Sequence, residues 1–387
     1  MTATWKDTDY GYRKKITVSG ALVSGSLNDF TALVCVTDSD LTKCESTGYD
    51  IRFYDSGQNK YLNHELISFD NSDGHLVAWV KLPVISSNVL CTGNTFYMYY
   101  DYTSALNSSS ASGSWDSGYV AIYHMTGTSD AKGLYNLSGQ NPPTVVDNGK
   151  VGQCYHFRHS SNEEYLCNDT LLDNSENGLD PHECTIECWI KPSSVSSRIF
   201  SISKTNTGPS SRNQIKLYFN WADENLKAVG YFEGGVEGTR YVYHPNVLTD
   251  KVWSYAAGRA VVDEHVYTFH NDCWASSESI FSNDFGAGSY TNFEIGREGF
   301  DNSGYCKGWM DEVRISNVKR SDDWLFTSWS TVENSGATGP FLYFHAEEEK
   351  PGEEEEEVAI GKTYIIKTDK KFYINPVAGS RLTITGG

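Results

Sequence analysis

Apolar and polar positions alternate with a period of two along much of the chain. In Gly48-Tyr49-Asp50-Ile51-Arg52-Phe53-Tyr54-Asp55, Tyr49, Ile51 and Phe53 share one face, and Asp50, Arg52 and Tyr54 the other. Ile51 and Phe53 are therefore expected in a core. Residues 15–18, 32–36, 77–82 and 95–100 are β-branched or aromatic runs bounded by turn formers, the signature of short strands. Within 185–190 the same alternation predicts Ile186, Cys188 and Ile190 on a core face. Long stretches with apolar residues three and four apart are absent, so strand follows strand with no helix to make parallel crossovers. The expected class is all-β: two consecutive antiparallel β-sandwich, jelly-roll-like modules and a short β-rich C-terminal tail.

A length of 387 residues accommodates two or three such units. Residues 104–114 are Ser-rich and nearly uncharged, a linker composition. Glu347-Glu348-Glu349 and the glutamates 353–357 read as an extended, self-repelling spacer around Pro351-Gly352. The expected organisation is a module at 1–103, a linker at 104–114, a module at 115–345, an acidic linker at 346–357 and a tail at 358–387.

Charge narrows the partners. With 31 Lys+Arg against 50 Asp+Glu the net charge is −19, a field that opposes phosphate and argues against nucleic acid. No window approaches the ~20 apolar residues that span a bilayer, so membrane insertion is not expected. The start Met1-Thr2-Ala3-Thr4-Trp5-Lys6-Asp7 lacks the basic and apolar regions of a secretory signal, which fits a mature chain or one exported by another route. Nine cysteines have no CxxC pair, which argues against a structural zinc site or a thioredoxin-like motif. If Phe157 faces Glu164 across a hairpin, Cys154 falls opposite Cys167, a candidate disulfide.

In the first module, Tyr10-Gly11-Tyr12-Arg13-Lys14-Lys15-Ile16, Gly48-Tyr49-Asp50-Ile51-Arg52-Phe53, His64-Glu65, Trp79-Val80-Lys81-Leu82-Pro83 and Tyr97-Met98-Tyr99-Tyr100 resemble, in that order, the domain of unknown function 2341. The resemblance implies company with adhesive or carbohydrate-binding modules in microbial surface proteins and viruses. Asp50, Arg52, His64 and Glu65 invite a catalytic reading, but Asp50 and Arg52 are expected to be an exposed pair of strand neighbours.

The second module, with Tyr119-Val120-Ala121-Ile122-Tyr123-His124-Met125, Glu187-Cys188-Trp189-Ile190-Lys191-Pro192, Asp311-Glu312-Val313-Arg314-Ile315-Ser316 and Arg320-Ser321, resembles a laminin-G-like domain of the concanavalin A-like jelly-roll class. That class often holds calcium at the sandwich rim, which implies Asp130 and Asp311 as ligands of a structural calcium; no other cofactor is expected. Calcium needs six to eight oxygens, so carbonyls and waters would complete the set. Related glycosidases carry Glu-x-Asp-x-x-Glu, which aims two carboxylates into one cleft. No such string occurs, and the adjacent acids of Asp311-Glu312 are expected on opposite faces of a strand. A non-enzymatic role is therefore expected. Trp221, Tyr241 and Tyr243 lie in aromatic-rich strands and are candidates for stacking on a glycan or meeting a protein partner.

The tail alternates in three short runs whose apolar members include Tyr364, Ile366, Phe372, Ile374, Leu382 and Ile384. About thirty residues without cysteine cannot bury enough surface to stand alone, so the tail is expected to dock, giving a homo-oligomer or lattice subunit. Together these features suggest a structural and recognition protein outside the cell: a virion decoration, fibre or spike protein binding a surface glycan or protein. A microbial surface adhesin and a glycan-processing enzyme are the alternatives.

Overall fold

The structure, a computed structural model, describes residues 5–139, 141–158, 164–168, 183–193, 201–205, 214–220, 225–231, 240–261, 264–281, 292–297, 305–336 and 340–351. Strands β1 (Tyr12–Val18), β2 (Ser26–Thr37), β3 (Arg52–Asp55), β4 (Lys60–Leu62), β5 (His64–Asp70), β6 (His75–Ser86) and β7 (Thr95–Tyr100) build the first module. After the one-turn helix α1 (Ala111–Ser114) come β8 (Tyr119–Tyr123), β9 (Thr144–Val146), β10 (Cys154–Arg158), β11 (Leu166–Asn168), β12 (Glu183–Pro192), β13 (Ser201–Thr205), β14 (Gln214–Asn220) and β15 (Asn225–Tyr231). Then follow β16 (Arg240–Val247), β17 (Ser254–Val261), β18 (Glu264–His270), β19 (Cys273–Phe281), β20 (Asn292–Ile295), β21 (Lys307–Ser316), α2 (Asp322–Glu333) and β22 (Leu342–Glu349).

All pairings are antiparallel. The first sandwich apposes the sheet β22-β1-β7-β3-β4 to β2-β6-β5. Alternation places Ile16, Ala32, Val34, Ile51, Phe53, Val80, Phe96 and Met98 in its core, as read for Ile51 and Phe53. The second sandwich apposes an eight-stranded sheet, β19-β18-β17-β12-β21-β10-β9 with β8 on β21, to the six-stranded β11-β20-β13-β14-β15-β16. Ile186, Cys188 and Ile190 face its core, also as expected.

Three expectations are corrected. First, the acidic run is not wholly a spacer: Glu347, Glu348 and Glu349 lie in β22, paired with Lys14, Arg13 and Tyr12 of β1. The cations of the first module draw them in, with Glu348 2.6 Å from the Arg13 guanidinium and Glu347 2.5 Å from Lys43 Nζ. The first module is therefore completed by residues that follow the second, and the jelly roll is inserted within it. Second, a 12-residue α-helix is present. Ser321 caps it by accepting from Trp324 N–H, and Asp322 and Asp323 favour its N-terminal dipole. Third, the Ser-rich stretch is docked at its end, not free: Ser110 N–H donates to His64 O at 2.7 Å, and Ser114 and Trp115 are buried.

Because β12 packs on two bodies, both of its faces are buried. Thr185, Glu187 and Trp189 point toward the first module and α2 and are at most 1% exposed. Among the described residues, no helix is long and apolar enough to cross a membrane.

Candidate functional site

The junction of the two sandwiches concentrates the ionisable chemistry. Glu65 comes from β5, Trp115 from the end of the Ser-rich stretch, His124 from the end of β8, and Glu312 and Arg314 from β21. His124 Nδ1 lies 2.7 Å from Glu312 Oε1, and its Nε2 lies 3.2 Å from Glu65 Oε2, within ion-pair range but off the hydrogen-bond line. Trp115 Nε1–H donates to Glu65 at 2.8 Å, and Arg314 donates to Glu312 at 2.9 Å while stacking over Trp79 and Trp115. Burial opposes charge on His124, yet the carboxylates of Glu312 and Glu65 outweigh it and hold its pKa up to about 10. Burial raises Glu312 less than His124 and Arg314 lower it, so it stays ionised.

A second cluster continues the junction. Glu187 accepts from Tyr119 Oη at 2.9 Å and from Tyr255 Oη. Arg320 makes a two-bond fork with Asp116, both contacts 2.6 Å, while its plane lies over Tyr119 and Trp324. Arg259 joins Asp322 of α2 at 2.9 Å.

Asp311 and Glu312 are both drawn to this junction, against the expectation of opposite faces. The register between β12 and β21 shifts between Glu187 and Trp189, and Glu312 takes the left-handed φ of 49° that a bulge allows. Asp311 is fully buried, with one oxygen accepting from Lys150 N–H at 2.7 Å and Val151 N–H at 2.8 Å. Burial, and then the charge of Glu312, push its pKa well above the carboxylate range, so it is neutral beside an ionised neighbour. Two acids with protonation states set apart are a feature of acid–base sites. Here both are at most 1% exposed.

The other expected residues do not meet. Asp130 holds its own loop: Oδ1 accepts from Ile122 and Lys132 N–H, and Oδ2 from Leu134 and Tyr135 N–H, at 2.9–3.1 Å. Four amides occupy the Asp130 oxygens, and Asp311 accepts from the loop amides of Lys150 and Val151, so the two acids have no hydrogen-bond partner in common. No cluster of three metal-ligating side chains occurs among the described residues. Cys154 and Cys167 are both free thiols, because β10 pairs with β21 and β9, whereas β11 pairs with β20 in the other sheet.

Asp50, Arg52, His64 and Glu65 also diverge. Asp50 is buried, not exposed, and accepts from Glu45 and Asp101 N–H. Arg52 stacks on Tyr61 at 3.9 Å. His64 is buried beside Phe53, and burial depresses its pKa to about 4, so it is neutral. Tyr241 and Tyr243 occupy β16 positions opposite Val229 and Lys227 of the six-stranded sheet. Trp221 lies outside the described residues, as do Tyr364, Ile366, Phe372, Ile374, Leu382 and Ile384 of the tail.

This arrangement defines a β-sandwich protein with two interlocked modules. Residues 47–132 match the family model of the domain of unknown function 2341, and residues 168–325 match that of the concanavalin A-like lectin/glucanases superfamily. The two matches fall in the order that the motifs indicated. No curated protein matches the chain. Among solved structures, domain 4 of AbnA, an extracellular GH43 arabinanase of Geobacillus stearothermophilus, in complex with arabinotriose, is 15% identical and has a TM-score of 0.38; the match covers 55% of this chain and 98% of that one. The binding domain of botulinum neurotoxin serotype D is 12% identical, with 57% and 52% covered and a TM-score of 0.38. Trypanosoma rangeli sialidase in complex with 2,3-difluorosialic acid is 10% identical, with 57% and 34% covered and a TM-score of 0.41. At such scores no role is carried over from them.

Proposed function

We propose that this is a non-enzymatic extracellular structural and recognition protein, a virion decoration, fibre or spike component. The two interlocked sandwiches form the displayed body, and the C-terminal tail assembles or anchors it. The observation that carries this reading is the junction. The acids gathered there, Glu65, Glu187, Asp311 and Glu312, are committed to hydrogen bonds and ion pairs inside the protein, Glu65 reaching from the first module to Trp115 and His124, and each is at most 8% exposed. A body whose ionisable chemistry is consumed by holding its own parts suits a displayed platform better than a reaction site. The concanavalin A-like class of the second module supports a surface glycan or protein as ligand, with Tyr241 and Tyr243 the residues to test first. No cofactor is required in this reading.

Incubating the full chain with a panel of polysaccharides is expected to give retention on one or more of them without release of sugar. Release of reducing ends that grows with time would overturn the non-enzymatic assignment. Antibody raised against the chain is expected to label intact particles from the source; labelling confined to cell walls would favour an adhesin.

A further inference from the structure

A sheet edge with unpaired backbone is a template for another strand, and proteins cover or blunt such edges. This body does so at nearly every edge. β2 is covered by α2: Leu33 N–H donates to Thr331 Oγ1 at 3.0 Å, and just before β2 Ser24 N–H donates to Thr327 Oγ1 at 3.2 Å. β5 is covered by the Ser-rich stretch, through Leu66 N–H to Ser109 Oγ and Ser110 N–H to His64 O. β4, β9 and β11 are only three residues long. β16 and β19 are tied to each other through His244 Nε2 and Cys273 O, 3.0 Å apart. The exception is β22: eight residues, paired with β1 on one side and, among the described residues, with no strand on the other.

We propose that the open edge of β22 receives a strand from the C-terminal tail of a second copy of this chain, a step that rests on the tail being the assembly element. Charge selects the occupant. β22 ends in Glu347, Glu348 and Glu349, of which Glu349 is exposed, so a strand that carries lysines complements this end of the edge. The tail is the basic part of an acidic chain: residues 358–387 carry Lys362, Lys367, Lys370, Lys371 and Arg381 against the single acid Asp369. The runs Lys362-Thr363-Tyr364-Ile365-Ile366-Lys367 and Lys370-Lys371-Phe372-Tyr373-Ile374 combine strand-forming side chains with terminal lysines that suit an acidic edge.

Charge also favours a neighbour over the chain's own edge. The glutamates 353–357 follow Glu347, Glu348 and Glu349 directly, and folding back would bring the two acidic runs alongside each other. Extended, residues 352–361 reach about 33–36 Å, enough to meet an adjacent body. Lys350 fixes the departure point, its N–H donating to Gly11 O at 2.8 Å and its ammonium to Thr8 O at 2.9 Å.

The test mixes full-length chains of natural and nitrogen-15 isotope content, couples them with a zero-length carbodiimide, and reads the cross-linked peptides by mass spectrometry. Expected are mixed-isotope links from Glu347, Glu348 or Glu349 to Lys362, Lys367, Lys370 or Lys371, together with an oligomeric mass by light scattering. Ile366→Pro in the full chain should abolish both while leaving the melting temperature of the body unchanged. Same-isotope links alone would mean that the tail closes its own edge and would overturn the proposal. An oligomer that lacks these links would overturn it while sparing the assembly reading, whereas a monomer would overturn both.

Discussion

Replacing His124 by Gln removes the one cation that bridges Glu65 of the first module and Glu312 of the second. Glu312 keeps Arg314 and Glu65 keeps Trp115, but both carboxylates stay buried with less compensation. The imidazole pKa is held up to about 10 from an ordinary value of 6.5. Integrated between these values, the bound proton stabilises the fold by about 4 kcal/mol at neutral pH. Removing one partner from a buried ion pair independently suggests about 3–5 kcal/mol. A raised folded-state pKa gives stability that is complete below the unfolded value of 6.5 and fades as pH rises through about 10. Urea unfolding of the wild-type and variant chains, compared at steps between those two pKa values, isolates the effect, since other titrating groups are common to both. The gap should be about 4 kcal/mol near neutrality and close steadily toward the alkaline end. A gap that does not change with pH, or one below about 1 kcal/mol at neutrality, would refute the claim that the protonated imidazole joins the modules.

Adding calcium to the EDTA-treated chain should produce neither binding heat nor a rise in melting temperature, because the Asp130 oxygens already accept four amides. Asp130→Asn, which loses one acceptor oxygen, should cost about 1–3 kcal/mol in urea unfolding. Ending the chain after Phe344 removes Glu347 and Glu348 with most of β22 and should lower the melting temperature of the first sandwich, followed by calorimetry. Ending it after Pro351 retains the strand and the Lys350 contacts and should leave that transition in place.

The sandwich class was legible because alternation reports directly on which side of a strand is buried, and Ile51, Phe53, Ile186, Cys188 and Ile190 all face cores. What escaped depends on features that leave no period. Helix α2 buries Thr327, Ser328, Ser330 and Thr331 as well as Trp324 and Leu325, so its inward face reads as polar; two of those hydroxyls serve the edge of β2 and its lead-in. Its legible signal was the cap, Ser321 followed by Asp322 and Asp323. Asp311 and Glu312 misled for a backbone reason: a positive φ at a non-glycine residue lets neighbours share a side, and nothing in the residue types announces it. Glu347, Glu348 and Glu349 matched a solvated spacer by composition alone. Their partners Arg13 and Lys43 lie some three hundred residues earlier, beyond what local reading can pair.

Insertion changes what the junction has to do. Modules in simple succession are joined by one linker and can swing on it. Here the jelly roll leaves the first sandwich through the Ser-rich stretch and returns to it through α2 and β22, so two covalent paths hold it. Between them lie Trp79 against Trp115 at 5.3 Å and Phe30 against Trp324 at 5.2 Å, with the His124 and Arg320 clusters filling the polar remainder. Apolar contact alone would hold the sandwiches together while leaving their mutual rotation weakly specified. The His124 bridge between Glu65 and Glu312 adds direction, because it tolerates little angular change before buried charges lose their partners. A load applied to the jelly roll therefore passes into the first sandwich through the junction as well as both connections. In the proposed assembly it would continue through β22 to the neighbouring tail and from there through that chain's acidic spacer.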